Sequence, residues 1–229
     1  MTAVGEEIRQ KLFELSDEGY RDFHSRLIPT VEKELVIGVR TPVLRKYAKG
    51  LAGTLERETF LSMLPHKYYD ENNLHAFFIE QEKDSRRCFE LVEAFLPHVD
   101  NWATCDMMNP RALAYDKAHL FEKSLYWLSL PHTYTTRYGI RMLMNHFLDD
   151  DFTSECLEAV ASVVSEEYYV NMAVAWYFAT ALTKRFDESV GFIENRRLSP
   201  FCHNKAISKA CDSFCVSGER KAYLRKFRI

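Results

Sequence analysis

Trp102 and Asp106 stand four residues apart in the run Val99-Asp100-Asn101-Trp102-Ala103-Thr104-Cys105-Asp106. In a helix that spacing places an indole and a carboxylate one turn apart on one face. Asp100, ahead of the apolar stretch, is the residue expected to cap such a helix. The π face and the anion both attract positive charge, and the ring also packs against C–H groups, so the pair suits a ligand that is cationic or becomes cationic. The plain alternative is a helix-start Asp beside a half-buried core Trp, and only further residues decide between them.

The other chemistry-bearing residues are sorted by spacing. Cys88, Cys105, Cys156, Cys202, Cys211 and Cys215 form no CxxC pair and read as reduced thiols, five of them in helical stretches. Cys211 and Cys215 share a face at i, i+4, yet no second pair completes a zinc set. The eight histidines show no metal-ligand spacing either, and no metal or cofactor is expected. Tyr68-Tyr69, Phe77-Phe78 and Tyr168-Tyr169 read as core and groove wall rather than stacking platforms. Arg40 and Arg45 flank Pro42, from where they could reach a phosphate or simply solvate a helix start. Lys205 and Lys209, at i, i+4, could track a backbone.

These residues need elements to carry them, and the periodicity is helical almost throughout. Stretches such as Leu91–Leu96, Cys156–Val164 and Val170–Phe178 repeat apolar residues at intervals of three and four. Only Leu35-Val36-Ile37 resembles a strand. Thr41-Pro42 and Ser199-Pro200 place a capping hydroxyl before a proline, and Asp84-Ser85 and Asp150-Asp151 offer further caps. The expectation is about a dozen helices. Candidate hairpins near residues 42–81, 84–128, 133–164 and 167–195 recur at roughly the period of HEAT-type repeats. The fold class predicted is all-α: an α-solenoid whose concave face cradles an extended partner. With only eight glycines in 229 residues and no linker-like segment, residues 1–229 read as one domain.

Composition narrows the partners. A chain that is 47% hydrophobic can bury a core without disulfides. No run is long enough to span a bilayer and the N-terminus lacks signal-peptide character, so a cytoplasmic protein is expected, nucleoid-associated in a bacterium. The net charge of −3 hides an asymmetry: from Arg196 to Ile229 nine basic residues face only Asp212 and Glu219. A basic end on an acidic body is a footprint for a polyanion, although solvated helix faces produce similar counts.

Taken in order, Ile37-Gly38-Val39-Arg40-Thr41-Pro42-Val43-Leu44-Arg45-Lys46-Tyr47-Ala48-Lys49, the Trp102–Asp106 pair, Arg137 in Tyr134-Thr135-Thr136-Arg137-Tyr138-Gly139-Ile140, and Trp176 in Tyr168–Trp176 resemble the landmarks of the AlkD-type DNA alkylation repair glycosylases. The similarity runs from Leu27 to Ser213. It implies a stack of HEAT-like helical pairs with a basic concave face, acting on duplex DNA to release cationic N3- and N7-alkylated purines without flipping them into a pocket. It also implies that Asp106, Trp102 and Trp176 form the catalytic set and that Arg137 contacts phosphate. Some members carry basic residues beyond the matched Arg137 and Trp176, where this chain has Asn145 and Ala179; Arg141 is a shifted substitute. The short segment ahead of the Gly-Val-Arg-Thr-Pro motif, with Pro29, implies an altered N-terminal helix.

The chemistry has its own logic. A purine alkylated at N3 or N7 already carries positive charge, so it leaves as a neutral base without a general acid, and one carboxylate replaces the usual glycosidase pair. Asp106 would offset charge on the sugar and hold the attacking water. The expected protein is a monomer on alkylated duplex DNA. The alternatives are a non-catalytic binder of damaged or branched DNA and a protein-binding helical-repeat scaffold.

Overall fold

A computed structural model describes residues 3–229; Met1 and Thr2 of the N-terminal run lie outside the described residues. The fold is all-α, with fourteen α-helices, three 3₁₀ turns and no strand among the described residues. The chain divides into two compact units, Met1–Lys117 and Ala118–Ile229.

The first unit contains α1 (Ala3–Glu14), α2 (Glu18–His24), α3 (Thr41–Gly50), α4 (Leu55–Leu61), α5 (Tyr69–Glu80), α6 (Ser85–Phe95) and α7 (Trp102–Met107). α5 is its axis, packed by α1, α3, α4, α6 and α7. Because α5 is buried on every side, it carries Asp70, Glu71, Asn72, Asn73 and His75 inward along with Leu74, Phe77 and Phe78. Buried polar groups must find partners, and most of these hold neighbouring loops. Asp70 Oδ2 accepts from the backbone N–H of Ile37 (2.7 Å) and Gly38 (3.2 Å), and Oδ1 from that of Val39 (2.7 Å). Burial raises the Asp70 carboxyl pKa, and these N–H groups pull against that rise.

This explains why Leu35-Val36-Ile37 is not a strand. A 3₁₀ turn takes Lys33–Leu35, and the extended segment after it gives its N–H groups to a carboxylate, leaving one isolated bridge between Val39 and Ser16. Gly38 is obligatory here. Its φ of 94° is disfavoured for L side chains, and a Cβ would come within 2.6 Å of Arg21 Cβ and 2.9 Å of the Asp17 carbonyl oxygen.

The second unit runs through α8 (Lys117–Leu128, opening at the boundary), α9 (Thr133–His146), α10 (Ser154–Ala161), α11 (Tyr168–Lys184), α12 (Phe186–Glu194), α13 (Pro200–Asp212) and α14 (Gly218–Arg225). α11 lies between α9 and α13 in one layer, while α10 and α12 pack on each other and on α11. α9 and α10 fall within the span 133–164 and α11 and α12 within 167–195, as expected, and α11 and α12 pack on each other. The two earlier hairpins do not survive as pairs, since residues 42–81 and 84–128 each break into more than two helical pieces. α9 crosses α8 closely at Gly139, where a Cβ would meet Leu128 Cδ1 at 2.6 Å and the Ser124 carbonyl at 2.8 Å.

Several helix starts differ from expectation. Asp84 and Ser199 cap as expected, accepting from Arg87 N and Cys202 N. Thr41 is instead inside α3 behind Arg40, and α10 starts after Thr153 rather than Asp150-Asp151. α13 ends at Asp212, so Cys215 lies past the helix and does not share a face with Cys211. None of the six thiols is in a disulfide, and four of them are buried.

Candidate nucleic-acid site

α7 carries Trp102 and Asp106 at i and i+4, both half-buried. Its cap is Asn101, not Asp100: the Asn101 side chain accepts from Thr104 N at 2.8 Å, while its Nδ2 donates to Asp100 Oδ1 and to Thr104 Oγ1. The reason is positional. Asn caps as well as Asp does, and it is the residue directly before the first helical turn. Thr104 Oγ1 donates in turn to Asn73 Oδ1 at 2.7 Å, fixing the start of α7 to α5. Past its end, the backbone N–H of Asn109 donates to Glu80 Oε1 at 3.2 Å. A six-residue helix with marginal stability of its own is thus held at both ends by α5.

The indole is fixed as firmly as the helix. Trp102 Nε1 donates to the Leu27 carbonyl at 2.8 Å, and the ring packs against the buried cluster of Ile28, Val31, Val36, Tyr69 and Ala103. Its polar edge is spent on the main chain, so the part left accessible acts as an apolar wall, one turn from the Asp106 carboxylate.

The two arginines around Pro42 are placed differently from one another. Arg45 Nη1 bonds Glu80 Oε2 at 2.5 Å with its guanidinium 4.0 Å from the Phe77 ring centre. It therefore joins α3 to the Glu80 carboxylate that also holds Asn109. Arg40 Nε donates to Asp17 Oδ2 at 2.8 Å and lies over Tyr20. Both remain about half exposed, each with a carboxylate already beside it. Ahead of them, two helices, α1 and α2, fold in the N-terminal segment, with Arg9 of α1 bonding Glu71 of α5 at 2.8 Å.

In the second unit Arg137 is 6% exposed on α9, and its Nη1 donates to the Tyr169 carbonyl at 2.8 Å. Arg141, one turn on and 8% exposed, sets its guanidinium 5.4 Å from the Trp176 ring centre. Arg141 and Trp176, both expected at the site, are thus in contact. Trp176 is half-buried and lines a groove of about 500 Å³ with Thr180, Lys184, Lys209 and Asp212. Lys184 is tied to Asp149 at 2.6 Å. Lys205 does not share that groove; it lines another, of about 580 Å³, with Phe201, Ser208 and Arg228.

Of the aromatic pairs, Tyr69, Phe77 and Phe78 are core, whereas Tyr168 is exposed. Sequence reasoning passed over Asn73, Thr104 and Glu80, whose roles depend on which face of α5 meets α7; Arg228, counted there only among nine basic residues, reaches Ser208 of α13.

Among the described residues no group of three or more His, Cys, Asp or Glu is placed to hold a metal ion, and no helix is long and apolar enough to cross a membrane. No curated protein matches the sequence. The family model described as DNA alkylation repair enzyme matches residues 8–210, a span that includes Trp102, Asp106, Arg137 and Trp176. By a match over that share of its length, the chain belongs to the DNA alkylation repair enzyme family.

Proposed function

We propose that this DNA repair enzyme is a monofunctional glycosylase that hydrolyses the N-glycosidic bond of N3- and N7-alkylated purines in duplex DNA. The observation that carries the reading is the Trp102–Asp106 pair on a helix fixed at both ends, within a chain that matches a DNA alkylation repair family. An anion meant to stabilise a transient charge works best when it need not reorganise at the moment of reaction. The attachments of α7 to Asn73, Glu80 and Leu27 supply that rigidity.

The alkylated purine is cationic before it reacts, so departure neutralises it and the deoxyribose becomes oxocarbenium-like. Asp106 faces that developing charge and positions the water that attacks the anomeric carbon; as the new C–O bond forms the water gives its proton to the Asp106 carboxylate, which releases it to solvent, and the base leaves with the electron pair of the broken bond. Trp102 and Trp176 offer apolar faces to deoxyribose. Arg137 holds a backbone phosphate, a contact that fixes register and carries no sequence information. Arg141, Arg40, Arg45 and Lys205 add backbone contacts, those of Arg40 and Arg45 made in exchange for Asp17 and Glu80. The protein works as a monomeric single domain, without metal or cofactor and without drawing the base into a pocket.

Single-turnover release of 7-methylguanine from duplex DNA tests the assignment. Asp106→Asn keeps fold and DNA binding and lowers the rate by about two to four powers of ten. A variant within threefold of wild type removes Asp106 from the reaction, and a wild-type protein that binds the duplex but releases nothing identifies a non-catalytic binder.

A further inference from the structure

Four rings cross the starts of α9, α11 and α13. Tyr134 lies 5.9 Å from Tyr169, Tyr169 lies 5.2 Å from Tyr168, and Tyr168 lies 5.9 Å from Phe201, centre to centre. The inner end of this ladder is structural: Tyr134 is buried, and the Tyr169 carbonyl receives Arg137. The outer end is not, since Tyr168 is 56% and Phe201 43% exposed. Both outer rings are open to solvent and so are available to a ligand.

What surrounds the pair indicates the ligand. Phe201 shares its cavity of about 580 Å³ with Asn204, Lys205, Ser208 and Arg228. Lys205 follows Phe201 by one turn of α13 and forms no ion pair among the described residues, and Arg228 Nη2 makes only a long 3.5 Å contact with Ser208 Oγ. Ile229 also borders the cavity, but its backbone N–H and carbonyl are both taken by the Asn204 side chain. The segment from Arg196 onward has nine basic residues against two acidic ones. Flat rings beside cations fit a polyanion that itself carries flat rings. An acidic peptide would satisfy Lys205 and Arg228 but give Tyr168 and Phe201 nothing to stack on. Intact duplex keeps its base faces inside the stack.

We propose that Tyr168 and Phe201, with Lys205 and Arg228, form a platform on which an unpaired DNA strand stacks its bases. The proposal rests on the reading that the protein acts on DNA and adds a second mode of engagement, two turns along α11 from Trp176, roughly 12 Å at 1.5 Å per residue. Glu166 and Glu167 immediately precede Tyr168, so the phosphates run on the α13 side, over Lys205 and Arg228, while the bases lie over the rings. Such a platform would hold a frayed or gapped strand of the kind present in damaged DNA.

The test is fluorescence anisotropy of labelled oligothymidine with the full-length protein. Tyr168→Ala and Phe201→Ala each weaken binding by about tenfold, and Tyr168→Phe restores it, because stacking needs the ring and not the hydroxyl. Unchanged circular dichroism and thermal unfolding of the alanine variants exclude misfolding as the cause. Lys205→Ala lowers the slope of log affinity against log salt by about 0.7. With enzyme in excess over methylated duplex, Tyr168→Ala and Phe201→Ala release 7-methylguanine within about twofold of wild type. A wild-type protein that releases no base overturns the glycosylase reading and leaves the strand-binding result standing. Unchanged oligothymidine binding by both alanine variants overturns the platform, as does their losing affinity for polyglutamate while keeping it for oligothymidine.

Discussion

α5 and α11 each run through the middle of their unit, and they fill it with different chemistry. α5 buries Asp70, Glu71, Asn72, Asn73 and His75; the buried residues of α11 are Val170, Ala173, Val174, Ala175, Tyr177, Phe178, Ala179, Ala181 and Leu182. The polar helix acts as a fixture. Asp70 holds the Ile37–Val39 segment, Glu71 holds Arg9 and the N–H groups of Lys67 and Tyr68, and Asn73 and Glu80 hold the two ends of α7. The apolar helix acts as a spacer, packed between α9 and α13, with its functional groups at the margins: the Tyr169 carbonyl for Arg137 and the Trp176 face for Arg141. A short helix bearing a carboxylate needs directional bonds to fix it, whereas a surface that presents cations and rings needs only regular spacing.

The largest expected effect comes from removing one of the α5 fixtures. Asp70→Ala leaves the buried N–H groups of Ile37, Gly38 and Val39 without their acceptor and costs about 3–5 kcal/mol in urea unfolding. A loss under 1 kcal/mol would break the contrast, because α5 would then be an ordinary core helix.

Acid sharpens the same contrast. His66 Nε2 and His75 Nδ1 share a 2.8 Å hydrogen bond, with His66 stacked on Phe60 and His75 on Phe95. Burial is the main cause that lowers the His66 pKa to about 4 and takes His75 well below its ordinary value. Both stay neutral when folded, while the unfolded chain takes up protons near pH 6.5. The stability they allow is complete above that pH and is lost as the pH falls toward 4. For His66 alone the loss is about 2 kcal/mol between pH 7 and 5. Unfolding free energies at the two pH values check this, and His66→Gln should flatten the difference; an unchanged slope in that variant contradicts it.

The smallest effect lies in the second unit. Arg137→Ala weakens binding to duplex of any sequence by about tenfold and lowers the salt slope by about 0.9, one phosphate contact's worth of released counterion. If affinity falls with no change in slope, Arg137 supports the Tyr169 carbonyl and does not reach DNA.

The all-α fold was legible because apolar residues at intervals of three and four leave little choice of element. The positions of α9 to α12 were legible for the same reason. The first unit was harder to read: α5 is buried all round, so its sequence, Tyr69-Asp70-Glu71-Asn72-Asn73-Leu74-His75, shows no clean amphipathic stripe. The Trp102–Asp106 spacing could be seen directly, but not its cap, since Asp100 and Asn101 are both good caps and only the backbone decides between them. Arg45 and Arg40 were visible as cations. That Glu80 and Asp17 stand beside them depends on contacts 35 and 23 residues away, which no local pattern encodes.

The central claim is that the charge already present on the damaged base makes a single carboxylate sufficient. The most direct measurement compares single-turnover release of 7-methylguanine and of uracil from otherwise identical duplexes, without added metal. The account predicts rapid release of the cationic purine and uracil release slower by at least about a thousandfold, or undetectable, because its leaving group needs a proton that no general acid supplies. Release of uracil at a rate comparable to 7-methylguanine would contradict it.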